Sequence, residues 1–228
     1  MNTRTSGTND HTGSLSLSAS GLITGIGLVV MTILALVAMP SIQGLAAIGD
    51  PGQLVQEIKQ QETGFRINIL IVLLIVLLDV ILAWSMYLLV KPVHENLALL
   101  QGWLRMTYAA VFAVALSNLS AITGLLEQPG AELQITSLMA GFMNGWSLGL
   151  TLFGLHLVIL GYVIVRSSYI PKLIGYLVVL AGAGYMIDSI GRVLSADNAL
   201  NVGMFTFFGE VLLGLWLVFK AKNLVLNG

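Results

Sequence analysis

Eight polar or charged side chains stand inside apolar runs of this chain: Asp79, Arg105, Asn118, Asn144, His156, Asp188, Arg192 and Glu210. A charge at mid-membrane costs about 2.5–3.5 kcal/mol on insertion scales, so such residues face protein and commonly mark function. Carboxyl and imidazole groups buried together can exchange protons or hold a small cation. Two close carboxyls could instead serve hydrolysis, as in an intramembrane aspartyl protease. The contexts LLDVILA around Asp79 and YMIDSIG around Asp188 lack the Tyr-Asp and Gly-x-Gly-Asp patterns of that class. No catalytic residue and no metal site is assigned. His11 and His94 are remote from His156, no His-Glu-x-x-His occurs, and there is neither a Gly-x-Ser-x-Gly elbow nor a phosphate loop. No cofactor is expected. The absence of cysteine excludes disulfides and thiol chemistry.

Helical spacing places these groups relative to one another. Gly141, Gly145 and Gly149 recur every fourth residue, and His156 follows seven beyond. His156 therefore shares a face with glycines that admit a close helix neighbour. Asp188 lies four residues after Gly184 and four before Arg192, and Glu210 has Thr206 and Gly214 one turn away on either side. Asp79 shares a face with Asn68 and Ala83. Asn144 is counted in the same intramembrane polar set. Asp79 and Arg105 flank one hairpin at similar depth, which predicts an ion pair, and Asp188 and Arg192 predict a second one along a single helix. Three acids then face two arginines. Glu210 is left without a counter-ion and is expected to be protonated at neutral pH. Two readings stay open: struts that fix helix register, or a proton or cation path in which Glu210 and His156 titrate.

The elements that must hold these groups are membrane helices. Hydrophobic residues make up 57% of the chain and charged residues 9%, with mean hydropathy +0.91. Soluble domains carry about 25% charged residues. Lipid is therefore the main solvent, and a net charge of -1 gives no basic field for nucleic acid. A membrane helix needs about 20 apolar residues, and six runs qualify, at about 21–41, 67–90, 97–126, 138–165, 170–194 and 202–219. The fold class is an all-α, polytopic bundle of six helices, one domain over 20–228, after a disordered polar tail over 1–19. The first run is longer than a signal-peptide core and its nearest upstream base, Arg4, is distant, so it is read as an uncleaved span that Pro40 ends or kinks. Asp50-Pro51-Gly52 predicts a turn. Gln53–Glu62 predicts a short helix, either solvated or lying on the membrane surface with Leu54, Val55 and Ile58 on one side. The bias of Lys and Arg puts Lys91, Arg166, Lys172, Lys220 and Lys222 inside, with both termini cytoplasmic.

Several motifs resemble one family. They are Lys91-Pro92-Val93-His94 with Leu97-Ala98-Leu99-Leu100, then Arg105, then Phe153-Gly154-Leu155-His156-Leu157 with Leu160-Gly161-Tyr162. Arg166-Ser167, Ile170-Pro171-Lys172 with Gly175, and Gly182-x-Gly184-Tyr185-x-x-Asp188-Ser189 complete the set. The chain resembles the bacterial membrane family catalogued as domain of unknown function 4386, in which His94 stands where Asn is more usual. The resemblance implies a multi-pass protein of the bacterial cytoplasmic membrane and supplies no catalytic residue. Three function classes remain open. The first is a small transporter or proton- or cation-handling protein using Glu210 and His156. The second is a non-catalytic subunit or sensor with structural charges. The third is an intramembrane enzyme on a lipophilic substrate. The expected partners are the lipid bilayer, a small ion or small molecule, and a further subunit or copy.

Overall fold

A computed structural model describes residues 15–194, 202 and 207–224. Every regular element among them is helical: α1 Leu17–Ala46, α2 Pro51–Gln60, α3 Glu62–Val90, α4 Glu95–Thr123, α5 Glu132–Arg166, α6 Lys172–Leu194 and α7 Phe208–Lys220, with a 3-10 turn at Ala221–Asn223. Five of these, α1 and α3 to α6, are long and apolar enough to cross a membrane. The chain is accordingly an integral membrane protein. The sixth expected span, 202–219, falls partly outside the described residues; α7, 13 residues long, covers it from Phe208 onward. The 29 residues of α3 and of α4 give about 43 Å each at 1.5 Å per residue. That matches the roughly 40–45 Å of a bilayer with its headgroups.

The ends of the elements correct several expectations. The Ser16 side chain accepts from Ala19 N at 3.1 Å and caps α1, so helix begins within the stretch assigned to the polar tail; residues 1–14 lie outside the described residues. Pro40 does not end α1. It withholds one amide from the ladder, but Met39, Ile42 and Leu45 are buried around it and packing carries the helix on to Ala46. The expected turn at Asp50 is a helix start. Asp50 Oδ1 accepts from Gln53 N at 2.7 Å and Pro51 takes the first helical position, where its missing N–H costs nothing. Leu54 and Ile58 are buried against the bundle while Gly52, Gln53, Gln56, Lys59 and Gln60 are exposed, so α2 packs its apolar side across one end of the bundle and turns its polar side outward. Lys59 ties it to Glu127 in the α4–α5 connection at 3.5 Å.

The break at Lys91 to His94 is where expected, and the His94 Nδ1 accepts from Leu97 N at 3.3 Å as the cap of α4. Tyr169, in the α5–α6 connection, donates its hydroxyl to Leu89 O at 2.6 Å and satisfies a carbonyl that the end of α3 leaves open. Burial pushes the Tyr169 hydroxyl up to about 12. At the same end, Gly21 of α1 lies against Ala221 and Leu224. Lys91, the α5–α6 connection and the end of α7 thus share one end, the Lys91 end, opposite α2.

Close helix approach rests on glycine. A Cβ on Gly154 would stand 2.5 Å from Gly182 O, and one on Gly161 would stand 2.6 Å from Gly175 O. The backbones of α5 and α6 therefore touch at two levels, seven residues apart on each helix. Gly25 and Gly214 do the same for α1 and α7, where a Cβ on Gly25 would meet Val218 N at 2.8 Å. The stripe Gly141, Gly145, Gly149 faces α4 as its spacing predicts. Cβ atoms there would meet Asn118 Oδ1 at 3.2 Å, Ala115 Cβ at 2.9 Å and Tyr108 at 3.2 Å. Gly184 is buried in α6.

Candidate functional site: a shared guanidinium in the bundle core

Asp79 lies 11 residues from the Lys91 end of α3, and Arg105, His156 and Glu210 lie 10 residues from that end of α4, α5 and α7. At 1.5 Å per residue all four sit about 15 Å below it. The antiparallel helices thus deliver them to one level, well within the roughly 30 Å hydrocarbon layer. The α4–α5 register continues the glycine stripe: Asn118, Ala115 and Tyr108 meet Gly141, Gly145 and Gly149, Tyr108 then packs on Phe153 with ring centroids 4.8 Å apart, and below it Arg105 meets His156.

Arg105 is the centre. Its side chain is 0% exposed and reaches partners on four other helices. Nη2 lies 2.7 Å from Asp79 Oδ1, whose side chain is 1% exposed. The short distance is an ion pair, but the N–H points off the oxygen, and Oδ1 is left without a well-aligned hydrogen bond. Nη1 lies 3.1 Å from His156 Nε2 and 3.7 Å from Glu210 Oε1. Met31 Sδ at 3.4 Å and Met86 Sδ at 3.7 Å accept from the two ends of the fork, and the Phe153 ring lies 5.1 Å from the guanidinium carbon. Soft sulfur and an aromatic face thus complete the surroundings of the cation beside the Asp79 and Glu210 oxygens.

The His156 tautomer follows from its partners. Nδ1 is 2.9 Å from Gln101 O, which can only accept, so Nδ1 carries the hydrogen. Nε2 then accepts from Arg105 Nη1. An imidazolium would set N–H against N–H beside a cation. His156 is therefore a neutral hydrogen-bonded crosslink that holds Arg105 to α5. It is not a charge awaiting a partner.

The charge count differs from the one predicted from sequence. The Asp79–Arg105 pair forms as expected. Glu210, expected to lack a counter-ion, shares Arg105 with Asp79. Its side chain is 13% exposed, against 1% for Asp79, which makes it the outer edge of the cluster. Asp188 does not pair with Arg192 among the described residues: Arg192 is exposed, and Asp188 Oδ1 accepts from Val202 N at 2.8 Å. Asn144 is exposed on α5 towards the α2 end, outside the cluster, because twelve residues from His156 is a third of a turn out of phase. Asn118 binds Ala115 O at 3.1 Å within its own helix. Thr206 lies outside the described residues. No group of three or more His, Cys, Asp or Glu that could hold a metal occurs among them.

Sequence reasoning missed Gln101, Phe153, Met31 and Met86 as parts of the site. Gln101 is one turn before Arg105, and Phe153 is one turn before His156, so the helical period carried that signal. The two methionines had none, since apolar residues fill every turn of these helices.

Chemically, two carboxylates and one guanidinium carry a net charge of −1 when all are ionised. One proton, or one monovalent cation, makes the cluster neutral. Arg105 Nε, Gln101 Oε1 and Glu210 Oε1 are further buried polar atoms without a hydrogen-bond partner among the described residues.

Comparison with known proteins gives a family and no activity. An uncharacterized protein of Archaeoglobus fulgidus is 37% identical over 153 residues, covering 67% of this chain and 83% of its own length. No solved structure shows significant similarity. A family model described as a domain of unknown function (DUF4386) matches residues 23–221, from the second turn of α1 to the end of α7, and to that family this chain belongs.

Proposed function

We propose that this is a proton-handling membrane protein with six spans and both termini in the cytoplasm, seated in a bacterial cytoplasmic membrane. Its site is the Asp79–Arg105–Glu210 cluster with His156 as the fixed crosslink. The observation that carries this reading is that two buried carboxyls share one guanidinium. Burying like charges side by side is costly, so the cluster keeps one proton that either carboxyl can hold. Glu210, the more exposed of the two, is the side at which the proton enters and leaves. A small monovalent cation is the competing ligand for the same deficit. The distribution of Lys and Arg supports the orientation, since Lys91, Arg166, Lys172, Lys220 and Lys222 gather at the end opposite α2.

A second reading, a non-catalytic subunit or sensor, is favoured by the complete enclosure of Arg105 and by two surface clefts that both lie at the α2 end without touching the cluster. Purified protein in liposomes under an imposed pH gradient separates the two. Wild type is expected to collapse the gradient faster than Glu210→Gln, with both variants melting at similar temperatures in detergent. Equal rates for wild type, Glu210→Gln and empty liposomes would return the cluster to a structural role.

A further inference from the structure

Asn144, remote from the guanidinium cluster, belongs to a different site. It lines a cleft of about 370 Å³ between the end of α1, α2 and the first turns of α5, with Gln43, Thr136, Ala140 and Met143 among its walls. Gln43, Ala140 and Asn144 are exposed, so the cleft is open at the protein surface where α1 and α5 meet. Thr136 spends its hydroxyl on Glu132 O at 2.9 Å. The side-chain amides of Gln43 and Asn144 make no hydrogen bond to any described residue. No lining residue is charged.

Depth identifies the occupant. Asn144 is 12 residues beyond His156 and Gln43 is 12 residues beyond Met31, and His156 and Met31 both touch Arg105 at the level about 15 Å below the Lys91 end, so both amides stand at about 33 Å. In a bilayer about 43 Å across with a 30 Å hydrocarbon layer, both positions lie within about 3 Å of the hydrocarbon edge at about 36 Å. That is the level of the glycerol-ester groups of a lipid. An amide with no partner at this level is costly against acyl chains and well matched to an ester carbonyl. We propose that the cleft binds one glycerolipid of the leaflet at the α2 end, its ester carbonyls accepting from the Asn144 and Gln43 amides and its chain lying along Ala140 and Met143. The uncharged lining leaves the headgroup charge unread.

Native mass spectrometry of the full chain in detergent, titrated with dioleoyl phosphatidylglycerol and with its diether analogue, tests this. Wild type is expected to hold one ester lipid about tenfold more tightly than the ether lipid, the worth of one or two hydrogen bonds. Asn144→Leu should abolish that preference, and Ala140→Trp, which fills the cleft, should weaken both lipids. Equal retention of ester and ether lipid by wild type overturns the proposal, whether or not the variants fold. So does an ester preference that survives Asn144→Leu. A dimer that Asn144→Leu abolishes also overturns it, by naming a second copy as the occupant.

Discussion

Replacing Arg105 by Met is expected to be the most damaging single change in this protein, costing roughly 3–5 kcal/mol or the folded yield altogether. The substitution nearly preserves volume, so packing is not the cause. It removes the guanidinium that sits 2.7 Å from Asp79 and 3.7 Å from Glu210 and leaves two enclosed carboxyls without their shared counter-ion. It also removes the donor to His156 Nε2. Asp79→Asn and Glu210→Gln should each cost less, because the remaining carboxyl still neutralises Arg105. That asymmetry separates a shared cation from two independent pairs. The triple change Arg105→Met with Asp79→Asn and Glu210→Gln should recover much of the loss, since no charge is then stranded. Denaturant or thermal unfolding in detergent reads all of these. Strictly additive losses would count against the cluster as a coupled unit.

The second large effect belongs to Gly182. A Cβ there would collide with Gly154 O and stand 2.9 Å from both Leu157 Cβ and Val158 N. Two of these three atoms are backbone, which cannot turn aside as a side chain can. Gly182→Ala should therefore force α5 from α6 and cost at least the 1–3 kcal/mol of an overpacked core, and Gly182→Leu should abolish folding. Gly145→Ala, whose Cβ would meet only Ala115 Cβ at 2.9 Å, should cost less. Gly64→Ala, with nothing within 4 Å, should be neutral or stabilising by up to about 1 kcal/mol, the helix-propensity gain. Melting temperatures of the four variants in one detergent give the ranking.

Local relations are legible in the amino-acid sequence. Asp79 and Arg105 flank one short connection, so hairpin geometry alone sets their depths level. The inward face of His156 follows from its period with Gly141, Gly145 and Gly149, and α4 indeed packs on that stripe. What depends on the register between distant helices is not legible. Glu210 reaches Arg105 because α7 packs on α1 at Gly25 and Gly214 and on α6 at Gly209, which lies against the Leu177 backbone, and the first of these contacts joins opposite ends of the chain. The Asp188–Arg192 expectation rests on i,i+4 spacing, which gives proximity of backbones and does not dictate side-chain direction; near the end of α6, Arg192 turns outward. Two further signals lie in the spacing itself. Gly154 and Gly161, then Gly175 and Gly182, repeat the same seven-residue interval on two helices joined by a short connection, as an antiparallel glycine contact requires. The phase of Asn144 relative to His156 separates them by about 120°.

At the centre of the proposed function stands one proton shared between Asp79 and Glu210 beside Arg105. Infrared difference spectroscopy across a pH titration addresses it directly. Wild type should show a protonated-carboxyl band at neutral pH that shifts in deuterated water, and that band should be lost or reduced in Glu210→Gln and in Asp79→Asn, with both variants folded. If wild type shows no protonated carboxyl at neutral pH, or if the band is unchanged in both variants, the two acids do not share a proton and the cluster is a fully ionised strut.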